Sequence, residues 1–168
     1  SGLRLLFGSI QAKDGLLLKA PEMMEALVNR LSYLTPYLVL DLGAGLTPIT
    51  EKLLPACNII LVLVEPVMNT VAHSKALISD LADLTGSKEN IHAIVVNRIR
   101  SDTQLNMAQM KEILGLTPLV AITPAPELHY SATRTKNTAI STRPDSLTAQ
   151  QYAKLAEDIL EFEKKIKK

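Results

Sequence analysis

The stretch Asn58-Ile59-Ile60-Leu61-Val62-Leu63-Val64-Glu65-Pro66 decides how the rest of the chain is read. Every residue from Ile59 to Val64 is apolar. A strand with one solvated face alternates apolar and polar residues, whereas an unbroken apolar run marks a strand covered on both faces. That is the habit of a parallel sheet with helices on each side. The run stops at Glu65, far short of the roughly 20 residues needed to span a bilayer.

Downstream of this strand, the sequence from Val67 to Leu84 predicts a long helix closed by Gly86. Ile91 to Val96 follows as a strand, and Leu105 to Leu114 as a helix that stops at Gly115. Leu119 to Ile122 is a further strand, leading into Pro124-Ala125-Pro126. Glu127 to about Thr135 predicts a short helix, Asn137 to Ser146 a polar loop, and Leu147 to Lys168 a last helix. Upstream, Thr47-Pro48 opens a short helix to about Ala56, after a turn at Gly43-Ala44-Gly45. Tyr37 to Leu42 and Leu3 to Phe7 complete the expected strands. Between them lie a loop through Asp14-Gly15 and a helix opened by Pro21, with Met23, Met24, Leu27, Val28 and Leu31 at helical spacing. Five strands alternating with helices predict an α/β fold with a mostly parallel sheet of about five strands flanked by helices.

Composition narrows the function classes. With 168 residues, one α/β domain over 1–168 can bury roughly 70% of the unfolded surface. The chain is 47% hydrophobic and 21% charged, which excludes a disordered chain. Eighteen Lys and Arg against seventeen Asp and Glu leave a formal charge of +1, so no global field favours DNA. Aromatic residues make up 4% with no Trp, too few for a platform that stacks single-stranded bases. The single cysteine, Cys57, excludes an internal disulfide framework and a multi-cysteine zinc site, and fits a reducing cytoplasmic setting. The start at Ser1-Gly2, entering a strand-like run at once, reads as an interior point of a longer product.

In open parallel sheets ligands sit beyond the carboxyl ends of the strands. Those positions hold Asp41 with Gly43 and Gly45, then Glu65-Pro66, Asn97-Arg98, and Thr123-Pro124-Ala125-Pro126. A strand-end carboxylate such as Asp41 can hold a hydrated Mg²⁺ through its waters. Glycines two and four residues on leave the backbone free to approach or release a phosphate. The Asn97 amide offers a donor and an acceptor that match the N6/N7 edge of adenine. Read singly, Asp41 also suits a backbone cap, Gly43 and Gly45 a turn, and the prolines a loop; their order together is what points to a nucleotide.

The run Tyr37-Leu38-Val39-Leu40-Asp41-Leu42-Gly43-Ala44-Gly45 resembles the Walker B strand and switch II of the MinD/ParA family of deviant P-loop ATPases. The strand ending at Glu65-Pro66 and its long helix are similar to the next element of that family. Val95-Val96-Asn97-Arg98 resembles its adenine-reading strand end, and Ile122-Thr123-Pro124 its last nucleotide-side loop. Gly2-Leu3-Arg4-Leu5-Leu6-Phe7-Gly8 resembles the strand after switch I. Within the family the chain is most similar to the CpaE-like proteins of Flp/Tad pilus assembly. The resemblance covers essentially the whole chain. It implies ATP and Mg²⁺ as cofactors of the intact parent and Asp41 as the magnesium-side residue. It also implies Gly43 and Gly45 as the catalytic switch, and Asn97, Arg98, Pro124 and Pro126 around the base.

The family's deviant Walker A loop, Gly-Lys-Gly-Gly-x-Gly-Lys-Thr, is not found in these 168 residues. Gly43-Ala44-Gly45 has no following Lys, and Gly86-Ser87-Lys88 lacks the upstream glycine spacing. The proline usual in the switch II pattern is replaced by Gly43. Phosphoryl transfer depends on positioning by such a loop. The chain alone is therefore expected neither to hydrolyse ATP nor to bind it tightly, although the parent would be an ATPase. The lost strand would leave an open sheet edge beside the Asp41 strand, so a homodimer or a bound partner protein is expected. A non-hydrolysing scaffold and a DNA-partitioning ATPase fragment are the alternatives. A receiver-like reading lacks both its acidic cluster and its strand-end Lys.

Other candidates carry less. His73, His92 and His129 lie in different elements and share no metal-ligand spacing. Cys57 has no activating neighbour and reads as a buried, inert thiol. Ser9, Ser74 and Ser131 have no Gly-x-Ser-x-Gly setting. The last helix places Leu155, Ile159, Phe162 and Ile166 on one stripe, with Lys164, Lys165, Lys167 and Lys168 at its end. Glu157, Asp158, Glu161 and Glu163 oppose anionic lipid, so Leu155 and Ile159 are expected to dock on the sheet, with the lysines complementing the helix C-terminus, rather than on a membrane.

Overall fold

The computed structural model describes residues 3–7, 20–97 and 104–166, without the side chains of 165 and 166. The loop at Asp14-Gly15, Ser9, the flanking Gly2 and Gly8, Arg98, the side chains of Lys165 and Ile166, and the terminal Lys167 and Lys168 lie outside the described residues. The chain divides into two compact units, Ser1–Ala56 and Cys57–Lys168.

In the first unit, α1 (Pro21–Ser32) opens on a proline whose missing N–H has no partner to lose, and carries Arg30 in its last turn. It packs on α2 (Pro48–Leu53), with the Lys52 ammonium 3.2 Å from the Glu25 carboxylate. Thr47 and Thr50 cap α2 reciprocally: the Thr50 amide donates to Thr47 Oγ1 at 3.2 Å and the Thr47 amide to Thr50 Oγ1 at 2.6 Å. A single 3₁₀ turn, Leu54–Ala56, continues the helix. Ile49, Thr50, Leu53 and Leu54 are buried, and no residue of α1 is.

The strands expected over 3–7 and 37–42 do not form. A strand is a ladder before it is a composition, and neither segment pairs with a described strand. Most of their apolar side chains stay in solvent, Val39 most fully at 91% exposed, while Leu40 and Leu42 are half-buried.

In the second unit the expected alternation holds. β1 (Ile60–Val64), β2 (Ile91–Val96) and β3 (Val120–Ile122) form a parallel sheet in the order β1-β2-β3. Ile60 pairs with Ile91, Val64 with Val95, and Val96 with Ile122. The crossovers are α3 (Met68–Thr85) and α4 (Met107–Leu114). After β3 come α5 (Pro126–Arg134), α6 (Ala139–Thr142) and α7 (Leu147–Ile166). The sheet therefore has three strands among the described residues, not five. The stretch 137–146, expected as loop throughout, contains α6. The hydroxyl of Thr138 accepts from the Ser141 amide at 3.1 Å and starts that single turn without any apolar periodicity to announce it.

Burial follows the two faces. Ile60, Val62 and Val64 of β1 and Ile91, Ala93 and Val95 of β2 are all buried. α3 packs on both strands with Val71, Ser74, Ile78 and Leu81 buried along one stripe. On the opposite face α7 packs against β3, and Phe162 stacks on His92 of β2 with ring centroids 4.2 Å apart. Phe162 thus docks on the sheet. On this face Ile94 of β2 is buried as well, but the cover thins over β1. Leu61 is half-buried and Leu63 is 67% exposed, so β1 is not covered on both faces as its composition suggests. Among the described residues it ends the sheet, and Leu63 is exposed on one of its faces.

Candidate functional site

The parallel register brings the carboxyl ends of three strands to one end of the second unit's sheet. β1 runs out at Glu65-Pro66, β2 at Asn97, and β3 at Thr123-Pro124. Their proximity is fixed by backbone. The Asn97 amide donates to the Ile122 carbonyl at 3.0 Å, placing Asn97 next to the turn that holds Thr123 and Pro124. The Leu105 amide donates to the Pro66 carbonyl at 2.9 Å and ties the return from β2 to the end of β1. Asn97 and Pro124 are half-buried. Pro126 is exposed and serves as the first residue of α5. Of the base-side set, Asn97 and Pro124 are brought together, Pro126 sits one turn on, and Arg98 lies outside the described residues.

A polar latch holds this end in place, and sequence reasoning missed it. The Thr123 amide donates to Gln151 Oε1 at 2.9 Å. The Thr123 hydroxyl donates to the same oxygen at 3.1 Å and lies 3.1 Å from the Thr148 hydroxyl, which is 4% exposed. The first turn and a half of α7 thereby positions the loop after β3. The signal was half visible, since Thr123 stands at a strand end, but its partners lie 25 and 28 residues on.

The second group, Asp41, Gly43 and Gly45, belongs to the first unit and forms one exposed turn. Asp41 Oδ1 accepts the Gly43 amide at 3.1 Å. Gly43 and Gly45 have φ of +73° and +75°, left-handed values that residues with a Cβ rarely adopt. Nothing lies within 4 Å of a Cβ built at either, so backbone conformation and not space requires glycine there. Asp41 therefore already spends one oxygen on its own turn.

The two groups lie in different units, and each has its own chemistry. Asn97 provides a donor and an acceptor beside a proline wall, which suits a purine edge. Asp41 suits the second coordination sphere of a hydrated Mg²⁺. The phosphates find no counterpart, because no lysine-bearing glycine loop occurs in the sequence. Among the described residues no three His, Cys, Asp or Glu side chains cluster as a metal cage.

The remaining candidates fall outside this end. Burial pushes the Cys57 thiol above its ordinary pKa, consistent with an inert thiol. Burial holds His92 below the ordinary histidine value, and Phe162 covers its ring. His129 meets Tyr152 edge-on at 6.1 Å. A shallow groove lined by Ala108, Lys111, Gly115 and Thr117 lies where α4 ends, at the opposite end of the sheet from the strand ends. No described helix is long and apolar enough to cross a membrane.

No protein-family model and no curated protein sequence matches the chain. Solved structures do. A ParA family ATPase from Chlorobium tepidum TLS aligns with a TM-score of 0.76 at 12% identity, over 86% of this chain and 59% of its own. The cell division ATPase MinD of Pyrococcus furiosus aligns with a TM-score of 0.73 at 19% identity, over 92% of this chain and 63% of its own. The chain thus spans about three fifths of the length of each. At such identities the likeness is one of fold, and the fold of this chain is that of the MinD and ParA ATPases.

Proposed function

We propose that this chain is the part of a MinD/ParA-like ATPase that reads the base and switches, in a protein of the CpaE-like kind that positions pilus-assembly or division machinery. In that reading residues 1–168 belong to one α/β domain of a larger cytoplasmic protein, whose remainder supplies the phosphate loop. Asn97 and Arg98 face the adenine, and Pro124 and Pro126 bound it. Asp41 holds the water shell of Mg²⁺, and Gly43 and Gly45 move as the switch. ATP and Mg²⁺ are the parent's cofactors, and the parent works as a homodimer or bound to a partner protein. The observation that carries the reading is the juxtaposition of Asn97 with the Thr123-Pro124 turn at the strand ends, within a fold shared with two ATPases.

Two titrations test it. Adenosine carries the base without phosphates, and in an amide NMR titration it is expected to shift Asn97, Thr123 and Ala125 with weak affinity. No shift at those amides overturns the base-side assignment. MgATP is expected to leave the melting temperature of the 168-residue chain unchanged. A rise of several degrees would show a phosphate grip the sequence does not contain, because a ligand of the native state stabilises by mass action. The scaffold alternative is favoured if adenosine and MgATP are both silent.

A further inference from the structure

The geometry points to Gln151 of α7 as a positioning residue for the base-side turn, one that sets how tightly the strand ends take a purine. The inference rests on the base-side reading proposed above and deepens it, by naming the side chain that holds the proline wall in place.

The peptide group between Ile122 and Thr123 is gripped from both sides. Its carbonyl accepts the Asn97 backbone amide at 3.0 Å, and its N–H donates to Gln151 Oε1 at 2.9 Å. In a trans peptide the C=O and N–H bonds point in opposite directions. Asn97 therefore lies on one side of this peptide and Gln151 on the other. The Gln151 oxygen is the atom that faces Thr123, because a backbone N–H can only donate. The same oxygen accepts the Thr123 hydroxyl at 3.1 Å, and that hydroxyl lies 3.1 Å from the hydroxyl of Thr148. With the Thr123 proton committed to Gln151, Thr148 is the donor to Thr123. The three groups form one chain of hydrogen bonds ending on Gln151 Oε1, and bonds in such a chain strengthen one another.

The clamp is anchored on a packed turn. Ser146 Oγ accepts the Ala149 amide at 3.2 Å at the start of α7, and Thr148 and Ala149 in its first turn are both buried. α7 packs on β3. Beyond the clamp the chain has little freedom. Thr123 precedes a proline, which confines it to extended conformations, and the ring of Pro124 fixes its own φ. The plane of the Ile122–Thr123 peptide thus decides where the Pro124 ring stands relative to Asn97. Without Gln151 Oε1 that plane keeps one of its two bonds and can turn, and the wall and the Asn97 amide lose their mutual register. Gln151 acts through Thr123, from the far side of the peptide, and not by touching the base.

Adenosine is the probe, because it is neutral and indifferent to a charge introduced at position 151. Gln151→Leu keeps the bulk and removes the oxygen. It is expected to weaken adenosine about fivefold in an amide NMR titration, the equivalent of one hydrogen bond. Gln151→Glu restores an acceptor oxygen and is expected to bind adenosine as the wild type does. Ile78→Val destabilises the same unit from the buried stripe of α3 and is expected to leave the affinity unchanged. A Gln151→Leu chain with wild-type affinity overturns the inference. So does an equal loss in Ile78→Val, which makes the effect one of general stability. A Gln151→Glu chain as weak as Gln151→Leu assigns the side chain to the base itself and overturns it too. If Gln151→Leu does not fold, exchange in the wild type decides. Saturating adenosine is expected to slow the Thr123 amide about fivefold and leave the Ile78 amide unchanged, and an unmoved Thr123 amide overturns the inference. A wild type silent to adenosine removes the base-side reading and this inference with it, whereas equal binding by wild type and Gln151→Leu removes this inference alone.

Discussion

Thr123 shows how much a single side chain can carry here. Its hydroxyl meets Gln151 and the buried Thr148, and its amide meets Gln151 again. Thr123→Val keeps the shape, removes the hydroxyl and leaves the Thr148 oxygen short of a partner in a dry site. The cost is expected at about 1–3 kcal/mol in a urea titration. His92 gives a pH prediction. Burial lowers its pKa, so the unfolded chain takes up a proton more readily than the folded one. Its contribution to stability is therefore present above the ordinary histidine pKa and is lost as pH falls through the lower folded value. The midpoint of urea unfolding should fall on mild acidification, and His92→Phe, which keeps the stack on Phe162, should remove part of that dependence. At this scale the sequence was readable where a residue acts on its own neighbourhood. Asp41 and its two glycines announce a turn by spacing alone. Gln151 announces nothing, because nothing local in a helical glutamine says that it serves a strand end far behind it.

Among the elements, the helices were the more legible because their signals are local. Pro21, Pro48, Gly86 and Gly115 mark ends that the structure respects. α4 adds a reciprocal cap, with the Gln109 amide donating to Asn106 Oδ1 at 3.0 Å and the Asn106 amide to Gln109 Oε1 at 2.9 Å. Asn106→Ala should cost about 1 kcal/mol, measured by thermal or urea unfolding. Strands were legible only in part, because a strand's partner is not written in its own residues. Residues 37–42 are as apolar as β2 but have no ladder. β1 was read correctly as a strand and wrongly as covered on both faces, since unbroken apolarity describes the surface a strand must bury and not the neighbour that buries it.

Over the whole molecule, the two units differ in how much they bury. The second holds a three-stranded sheet with helices on both faces, and its core runs from Ile60 to Ala149. Among the described residues, those buried in the first are Ile49, Thr50, Leu53 and Leu54. Opening free energy tracks buried apolar contact. Amides of α1 and α2 are thus expected to exchange in native hydrogen–deuterium experiments well before those of β1 and β2, with two separable stabilities. A single exchange rate across both units would contradict this. The fold class was recoverable from the order of elements, and the separation into units was not, because composition shows no linker at Ala56-Cys57.

The latch from Thr123 to α7 spans a stretch of chain that it does not itself need. α5 and α6 lie between the two partners in sequence, and α7 rests on β3 through its own packing. A protease nick or an engineered chain break near Pro144 would leave β3 and α7 joined by every bond they now share. Two separately expressed fragments, parted at that residue, should find each other in solution and rebuild the strand-end turn, the peptide link having served there only to keep them close.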